Sequence, residues 1–249
     1  MIELQRVSAG YGKHRVLKEV SVCLEAGKLT GIIGVNGCGK STLLKTVLGM
    51  IPLQSGEIAV NGKNLRDMSR NAIAREVAYL AQGRNTPDMT VAQIVLHGRF
   101  PHLNYPRRYT GQDYEIAFSA MEQLKIADLA HKPLSTLSGG MRQNAYIAMA
   151  LTQDTEYILL DEPTTYLDIP HQLELMKTLR KLADRGKGVI TVTHDIQMAF
   201  SFSDRIILLH DGCVFDSGTP EEVCGRNGIA QIMGVSLKRS ENGYFYQYG

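Results

Sequence analysis

The most constraining feature of the sequence is a short apolar run, LTGIIGV, that passes through GVNGCGKST at residues 34–42 into the helical pattern TLLKTVLGM. The spacing Gly34-x-x-x-x-Gly39-Lys40-Ser41 follows the phosphate-binding pattern G-x-x-x-x-G-K-[ST]. This pattern requires a strand before the loop and a helix after it, because the loop N–H groups and the helix N-terminus together hold a phosphate. The alternative is a glycine-rich turn that only caps a helix. The stretch therefore predicts an α/β fold with a phosphate loop at a strand end.

Strand and helix patterns alternate along the rest of the chain. Apolar runs predict buried strands in VAYLAQ, YILLDE, GVITVTHD and RIILLHDG, while VLKEVSVCLE alternates as a half-buried strand does. GEIAVNGKNL predicts a strand and a turn, and the region from about Gly83 to LSGG is mainly helical. Helical faces are predicted for Ala117, Ala120, Met121 and Leu124 in one helix, and for Leu175, Leu179 and Leu182 in another. The pattern predicts an α/β sheet with a helical insertion.

Composition bounds the class of protein. The chain has 249 residues, 44% of them hydrophobic, which is enough for one large domain or two small ones. The formal net charge is only +2, so no global field indicates nucleic acid or an anionic membrane as a partner. The four cysteines form no CxxC pair, which argues against a zinc knuckle and a disulfide framework and favours a reducing cytosol. No stretch approaches the roughly eighteen apolar residues of a membrane span, so we expect neither a span nor export.

A second anion-binding pattern lies in LSGGMRQ, residues 137–143. It contains no nucleophile and base pair and no metal ligands. A serine and two glycines instead lead into the helical run MRQNAYIAMAL, so backbone N–H groups and a helix N-terminus are expected to hold an anion there. The chain thus carries two predicted phosphate sites.

Two acidic residues, Asp161 and Glu162, end the buried strand pattern YILLDE. In a phosphate-loop site, an aspartate at this place binds Mg²⁺ together with the Ser41 hydroxyl, while Lys40 reaches the β- and γ-phosphate oxygens. Glu162 could then act as a general base that poises a water against the γ-phosphate. The alternative for an acidic pair at a strand end is a solvated turn.

Five stretches in order, GVNGCGKST, LSGGMRQ, YILLDEP, TTYLD and VITVTHD, resemble the ATP-binding cassette (ABC) ATPases. The resemblance implies a P-loop NTPase (RecA-like) core with an antiparallel β subdomain and an inserted α-helical subdomain at about residues 84–150, all within one domain over residues 1–249. It also explains the two phosphate sites. In this family two cassettes pack head to tail, and ATP on the phosphate loop of one is covered by Ser138, Gly139 and Gly140 of the other.

The resemblance implies a role for each matching residue. Tyr11 would stack on adenine, Asp168 would contact the second cassette, and Gln82 would contact Mg²⁺ and the attacking water. The implied catalytic residues are Glu162, His194, Gln82 and Lys40. The implied ATP-binding residues are Tyr11, Gly34, Val35, Asn36, Gly37, Cys38, Gly39, Lys40, Ser41, Thr42, Ser138, Gly139, Gly140, Gln143 and Asp168, and those for Mg²⁺ are Ser41, Gln82 and Asp161. A core tyrosine and a structural histidine are the alternatives for Tyr11 and His194.

The sequence also departs from the family pattern. Val35, Met141 and Asn144 replace residues that are commoner in the motifs, but none of the three changes removes a catalytic group. Tyr166 in TTYLDIPHQLELM, and HGRFPHLN in the helical insertion, resemble the group of cassettes that powers uptake of iron-siderophore, haem or cobalamin complexes.

The leading functional interpretation is the ATPase subunit of a membrane importer. It implies integral-membrane permease subunits, a second cassette in a homodimer, a solute-binding protein that acts indirectly, and a peripheral position at the cytoplasmic face of the cell membrane. The alternatives are a soluble ABC ATPase of translation or DNA repair and a kinase-like P-loop protein. The run RFPHLNYPRRY predicts a protein-contact surface rather than a nucleic-acid site, with Arg99 and Phe100 as anchors for the permease.

Overall fold

The computed structural model describes residues 1–83, 86–165, 167–241 and 243–247. The strands in these residues are β1 (Ile2–Tyr11), β2 (His14–Leu24), β3 (Leu29–Ile33), β4 (Leu53–Val60), β5 (Lys63–Asn64), β6 (Val77–Leu80), β7 (Tyr157–Asp161), β8 (Gly188–Val192), β9 (Arg205–His210), β10 (Cys213–Gly218), β11 (Ser236–Ser240) and β12 (Gly243–Gln247). The α-helices are α1 (Lys40–Val47), α2 (Arg70–Glu76), α3 (Val91–Leu96), α4 (Gly111–Gln123), α5 (Gly139–Thr152), α6 (Ile169–Asp184), α7 (Ile196–Phe202), α8 (Pro220–Gly225) and α9 (Gly228–Met233).

The central sheet has the strand order β10-β9-β3-β8-β7-β6. Its strands are parallel from β9 to β6, and β10 pairs antiparallel at the edge. Every residue of β3, β7 and β8 is buried, as the short apolar runs predict for strands covered on both faces. Because parallel strands end at one edge of a sheet, the loops after β3, β6, β7 and β8 meet there. The predicted α/β sheet is confirmed.

A second, antiparallel sheet has the order β2-β1-β4-β5. Its inner face contributes Ile2, Leu4, Leu17 and Ile58 to the same apolar cluster as Leu43, Leu44 and Val47 of α1. Helix α1 therefore packs in a core that both sheets share, and the loop that precedes α1 is held between them.

Helices α3, α4 and α5 lie between β6 and β7 in the chain and pack against one another. The predicted apolar faces are confirmed: Ala117, Ala120, Met121 and Leu124 are buried, and so are Leu175, Leu179 and Leu182 of α6. A capping box of Thr110 and Asp113 begins α4. Among the residues described, no helix combines the length and the apolar character needed to cross a membrane.

The expectation that Arg99 is a surface anchor is wrong. Its side chain lies in a 3₁₀ turn, His97–His102, and the residue is only 8% exposed. Its Nε donates to Asp113 Oδ1 at 2.8 Å, and its Nη1 donates to the Thr152 carbonyl at 3.1 Å. A buried guanidinium needs such partners, so Arg99 joins α4 and α5 instead of facing a partner protein. Phe100, by contrast, is 42% exposed.

Candidate functional site: a nucleotide-binding site at the sheet edge

The phosphate loop connects the end of β3 with the start of α1. A Cβ atom at Gly34, where φ is 151°, would lie 2.3 Å from the Leu209 carbonyl oxygen, so only glycine fits between the loop and β9. Gly39, with φ of 108°, forms the N-cap of α1 and supplies no side-chain cap. The first N–H groups of α1 therefore have no side-chain acceptor at the cap, as expected for a helix N-terminus that holds a phosphate.

Lys40 and the loop tip have different environments. The Lys40 ammonium is buried, and it donates to the carbonyl oxygens of Gly34 at 2.8 Å and Val35 at 3.1 Å. Asn36 and Gly37 are exposed at the tip of the loop. The loop thus places a fixed cation beneath two exposed residues, an arrangement that suits a bound phosphate chain. Thr42 and Cys38 are buried beside this loop.

Burial also sets the chemistry of the Cys38 thiol. Burial raises the pKa of Cys38, and the nearby Lys40 charge lowers it by a smaller amount. The reactive thiolate is therefore disfavoured at this position.

Asp161, at the end of β7, accepts hydrogen bonds on both carboxylate oxygens. Ser41 Oγ donates to Oδ1 at 3.0 Å, and the Tyr79 hydroxyl donates to Oδ2 at 3.3 Å. The structure thus brings together Ser41 and Asp161, two of the three predicted Mg²⁺ ligands; the third, Gln82, contacts Glu162 instead. Tyr79 was missed, because β6 and β7 become neighbours only through the strand order of the sheet.

Glu162 is held at a fixed place just past β7. Its φ is 52°, which is uncommon for a non-glycine residue, and its N–H donates to the Val192 carbonyl at 3.0 Å. Carboxylate oxygen Oε2 accepts from Gln82 Nε2 at 2.5 Å and from Thr165 Oγ1 at 3.2 Å. The other oxygen, Oε1, contacts Nε2 of His194. The carboxyl ends of β6, β7 and β8 thereby bring three of the four predicted catalytic side chains, Gln82, Glu162 and His194, into contact. Thr165 is an unpredicted partner.

The metal-binding potential of the site rests on oxygen donors. Within the described residues, no group of three or more His, Cys, Asp or Glu side chains is arranged to hold a metal ion. The Ser41 hydroxyl and the Asp161 carboxylate, however, are ligands that suit Mg²⁺, which binds through few protein oxygens and keeps phosphate oxygens and water as further ligands. The residues present therefore fit the predicted Mg²⁺.

The second predicted phosphate site is the N-terminus of α5. Ser138 is the N-cap, and its Oγ accepts from the Met141 N–H at 3.3 Å. Ser138 and Gly139 are exposed, and Gly140 is half-buried. In the described part of the chain, no hydrogen bond of these three residues reaches the phosphate loop. The structure does not bring the two predicted phosphate sites together within one chain.

Helix α5 is nevertheless connected to the catalytic segments. Gln143 Nε2 donates to the Pro163 carbonyl at 2.6 Å, immediately after Glu162. Arg142 Nη1 donates to Thr86 Oγ1 at 3.3 Å, in the segment that follows Gln82. The predicted ATP-binding role of Gln143 stays a prediction, since its amide donates within this chain.

The remaining predicted residues lie at the edges of the site. Tyr11 is 54% exposed at the hairpin between β1 and β2, so the alternative of a core tyrosine is wrong, and adenine stacking stays a prediction. Asp168 is the exposed N-cap of α6, and its Oδ1 accepts from the His171 N–H at 3.1 Å. The hydrogen bonds from His171 hold the pKa of Asp168 below its ordinary value. Tyr166 lies outside the described residues.

Comparison with known proteins assigns the family. The ABC transporter family model matches residues 17–165. The iron(3+)-hydroxamate import ATP-binding protein of Bacillus subtilis is 39% identical over 239 residues, which make up 95% of this chain and 89% of that protein. An inward-facing ABC transporter of the metal-chelate type has a TM-score of 0.85 at 25% identity, and the alignment covers 100% of this chain and 96% of that one. A dimeric ATP-binding cassette in a post-hydrolysis state with ADP and Pi has a TM-score of 0.76 at 28% identity, covering 88% of this chain and 99% of that one. These matches confirm the resemblance and the predicted fold, and the chain belongs to the ABC transporter family as an ATP-binding subunit with ATPase activity.

Proposed function

We propose that this chain hydrolyses MgATP at sites shared between two copies packed head to tail, and that hydrolysis drives import of an iron-siderophore complex through separate permease subunits. The import role of the Bacillus subtilis relative supports the transport interpretation over a soluble ATPase of translation or repair. The dimeric solved cassette supports the pairing of two copies. A permease partner places the chain at the cytoplasmic face of the membrane, and a solute-binding protein acts upstream of the permease.

Nucleotide binding uses the phosphate loop and its neighbours. Lys40 and the first N–H groups of α1 contact the phosphates, and Tyr11 stacks on the adenine. Ser41, Asp161 and Gln82 would hold Mg²⁺, which when bound supplies positive charge that offsets the charge developing on the phosphates.

Haem and cobalamin complexes are the other solutes of the group that the sequence resembles.

Hydrolysis follows from the position of Glu162. A water oxygen forms a bond to the γ-phosphorus while the bond from that phosphorus to the bridging oxygen of ADP breaks. Glu162 accepts the proton that the water loses, so the products are ADP and inorganic phosphate. Gln82 and Thr165 fix the carboxylate on one oxygen and His194 on the other, so the base is preoriented for the water.

The observation that carries this proposal is that three side chains contact the Glu162 carboxylate. Glu162 directly follows Asp161, whose carboxylate accepts a hydrogen bond from Ser41. The test replaces the chromosomal gene by a Glu162→Gln version and follows uptake of a radiolabelled iron(3+)-hydroxamate complex. We expect uptake to be lost while the amount of the protein in membrane fractions is unchanged. Normal uptake in the variant cells would contradict the proposal.

The contact with the permease is proposed for the surface around Phe100. The Phe100 ring packs edge-on against His97 at 5.3 Å and Tyr109 at 6.5 Å between centroids, and the Arg107 guanidinium lies 5.1 Å from its centroid. Exposed aromatic and arginine side chains of this kind are typical anchors of protein interfaces. Phe100 follows Gln82 in the chain, and the Gln82 amide contacts the catalytic base Glu162. The segment from Gln82 to Phe100 therefore joins the catalytic site to the exposed ring.

A further inference from the structure

His171, in the first turn of α6, contacts two segments that the ATPase cycle uses. Its ring nitrogen Nδ1 contacts Asp168 Oδ1, the same oxygen that accepts the His171 N–H. Its carbon edge faces α5: a Cβ atom built at Gly140 would lie 3.4 Å from His171 Cδ2 and 3.7 Å from Cγ. The imidazole therefore lies between the acidic N-cap of α6 and a glycine of the α5 N-terminus.

Stability alone does not explain this arrangement. The side chains of His171 and Asp168 are 57% and 64% exposed, and exposed ion pairs contribute little to folding. Asp168 caps α6 through its contact with the backbone N–H, which needs no imidazole. The ring adds a second donor to the same oxygen, and in the described chain no hydrogen bond occupies Asp168 Oδ2.

The other side of the ring faces Gly140. A Cβ atom at that position would lie at ordinary van der Waals distance from the imidazole, and 3.6 Å from Leu167 Cδ2. One side chain thus contacts the carboxylate of Asp168 and lies beside the first turn of α5, two groups that begin different helices.

We propose that His171 is a positioning residue for ATP turnover, which holds Asp168 and the α5 N-terminus in one arrangement so that both reach the facing subunit together. The inference rests on the head-to-tail dimer of the proposed function, and it assigns the coupling of the two contacts to a residue outside the matched motifs. Its expected loss-of-function signature is a lower kcat with nearly unchanged ATP affinity, because His171 contacts no phosphate-loop residue in the described chain.

The experiment compares three variants of the purified full chain. His171→Asn keeps a donor near the position of Nδ1 but has no ring and no charge, His171→Phe keeps a ring without a donor, and His171→Ala has neither. His131→Ala is the control, because His131 is an exposed histidine outside these contacts. The measurements are kcat and KM for MgATP and the thermal stability of each variant.

We expect His171→Ala to lower kcat about tenfold with less than about a twofold change in KM, and His171→Asn to recover most of the loss while His171→Phe does not. Wild-type kcat in His171→Ala, or equal rates in the Asn and Ala variants, would overturn the inference. A separate measurement tests the proposed dimer. If the chain does not pair head to tail, the Glu162→Gln protein will form no dimer in ATP, whatever the result for the His171 variants.

Discussion

The two phosphate sites of this chain differ in how complete they are. At residues 34–42, Lys40 is bonded to two loop carbonyls and Ser41 to Asp161, and the catalytic acid beside them has three further partners. At the N-terminus of α5, Ser138 and Gly139 are exposed, and among the described residues the serine bonds only its own helix. The first site has its predicted catalytic side chains within one chain. In the proposed dimer, the second site would offer its donors to a nucleotide held by the other copy.

This difference predicts which substitutions act within a subunit and which act between subunits. Changes at the phosphate loop and at Glu162 should alter binding or chemistry in each copy. Changes at the α5 N-terminus should leave ATP binding to the monomer intact, because no described hydrogen bond joins Ser138, Gly139 or Gly140 to the phosphate loop. Further along α5, Gln143 and Arg142 donate to the Pro163 and Thr86 segments, so the body of the helix contacts the catalytic segments directly.

The largest effect is expected for Glu162→Gln. The amide keeps the shape of the side chain but cannot accept the proton of the attacking water, so kcat should fall by about 10²–10⁴-fold. ATP binding should be retained, and a dimer should persist in ATP because the nucleotide is not consumed. Steady-state turnover and size-exclusion chromatography with ATP measure both effects, with Glu115→Gln, an exposed acid on α4, as the matched control. Turnover at the wild-type rate would exclude Glu162 as the base.

Ser138→Arg tests the second site directly. A bulky cation at the helix N-cap should block the approach of a facing nucleotide and lower turnover by about 10²-fold, the loss typical of a missing oxyanion donor. Binding of ATP to the monomer should be unchanged. A mixture with Lys40→Ala subunits should regain at most one working composite site per mixed dimer. If Ser138→Arg still forms ATP-dependent dimers, LSGG is only a helix cap.

Arg99 and Phe100 are neighbours with opposite expected phenotypes. Arg99→Glu places an acid beside Asp113 and leaves both buried, so it should destabilise the fold by about 3–5 kcal/mol. Phe100→Ala should change stability little while it lowers recovery of the complex with co-expressed permease. Denaturant unfolding and affinity co-purification separate the two results. Equal complex yield in wild type and Phe100→Ala would place the docking surface elsewhere.

Lowering the pH should weaken the Arg99–Asp113 pair. Burial acts to raise the pKa of Asp113, but hydrogen bonds from Thr110 and Arg99 outweigh it and hold the pKa below its ordinary value. The stabilisation from this carboxylate is therefore complete above the unfolded pKa of about 4 and is lost as the pH falls through the lower folded pKa. The stability difference between wild type and Asp113→Asn should shrink in that acidic range. A constant difference at every pH would contradict the assignment.

The sequence predicted the parts of the site that short spacings encode. The strand, loop and helix around Lys40 follow from one continuous stretch, and Asp161 and Glu162 follow from their place at a strand end. Partners that join distant strands or helices were not predictable in this way. Tyr79 and Thr165 bond the two acids only because β6, β7 and β8 lie side by side and the chain turns after Glu162. Arg99 has its partner fourteen residues away on another helix, so this one residue of the basic and aromatic run was misinterpreted as surface.

The smallest expected effect concerns thiol chemistry at the phosphate loop. The sequence places Cys38 within the loop, where a thiol reagent would block ATP, but the structure buries its side chain and raises its pKa. Cys23 and Cys213 are exposed. A variant that keeps only Cys38 should therefore react with a maleimide at least about tenfold more slowly than one that keeps only Cys213, because less thiolate forms and access is restricted. Mass spectrometry over time measures both rates, and bound MgATP should slow the Cys38 reaction further while it leaves the Cys213 reaction unchanged. Equal rates without nucleotide would show that the phosphate loop opens far more readily than its buried contacts imply.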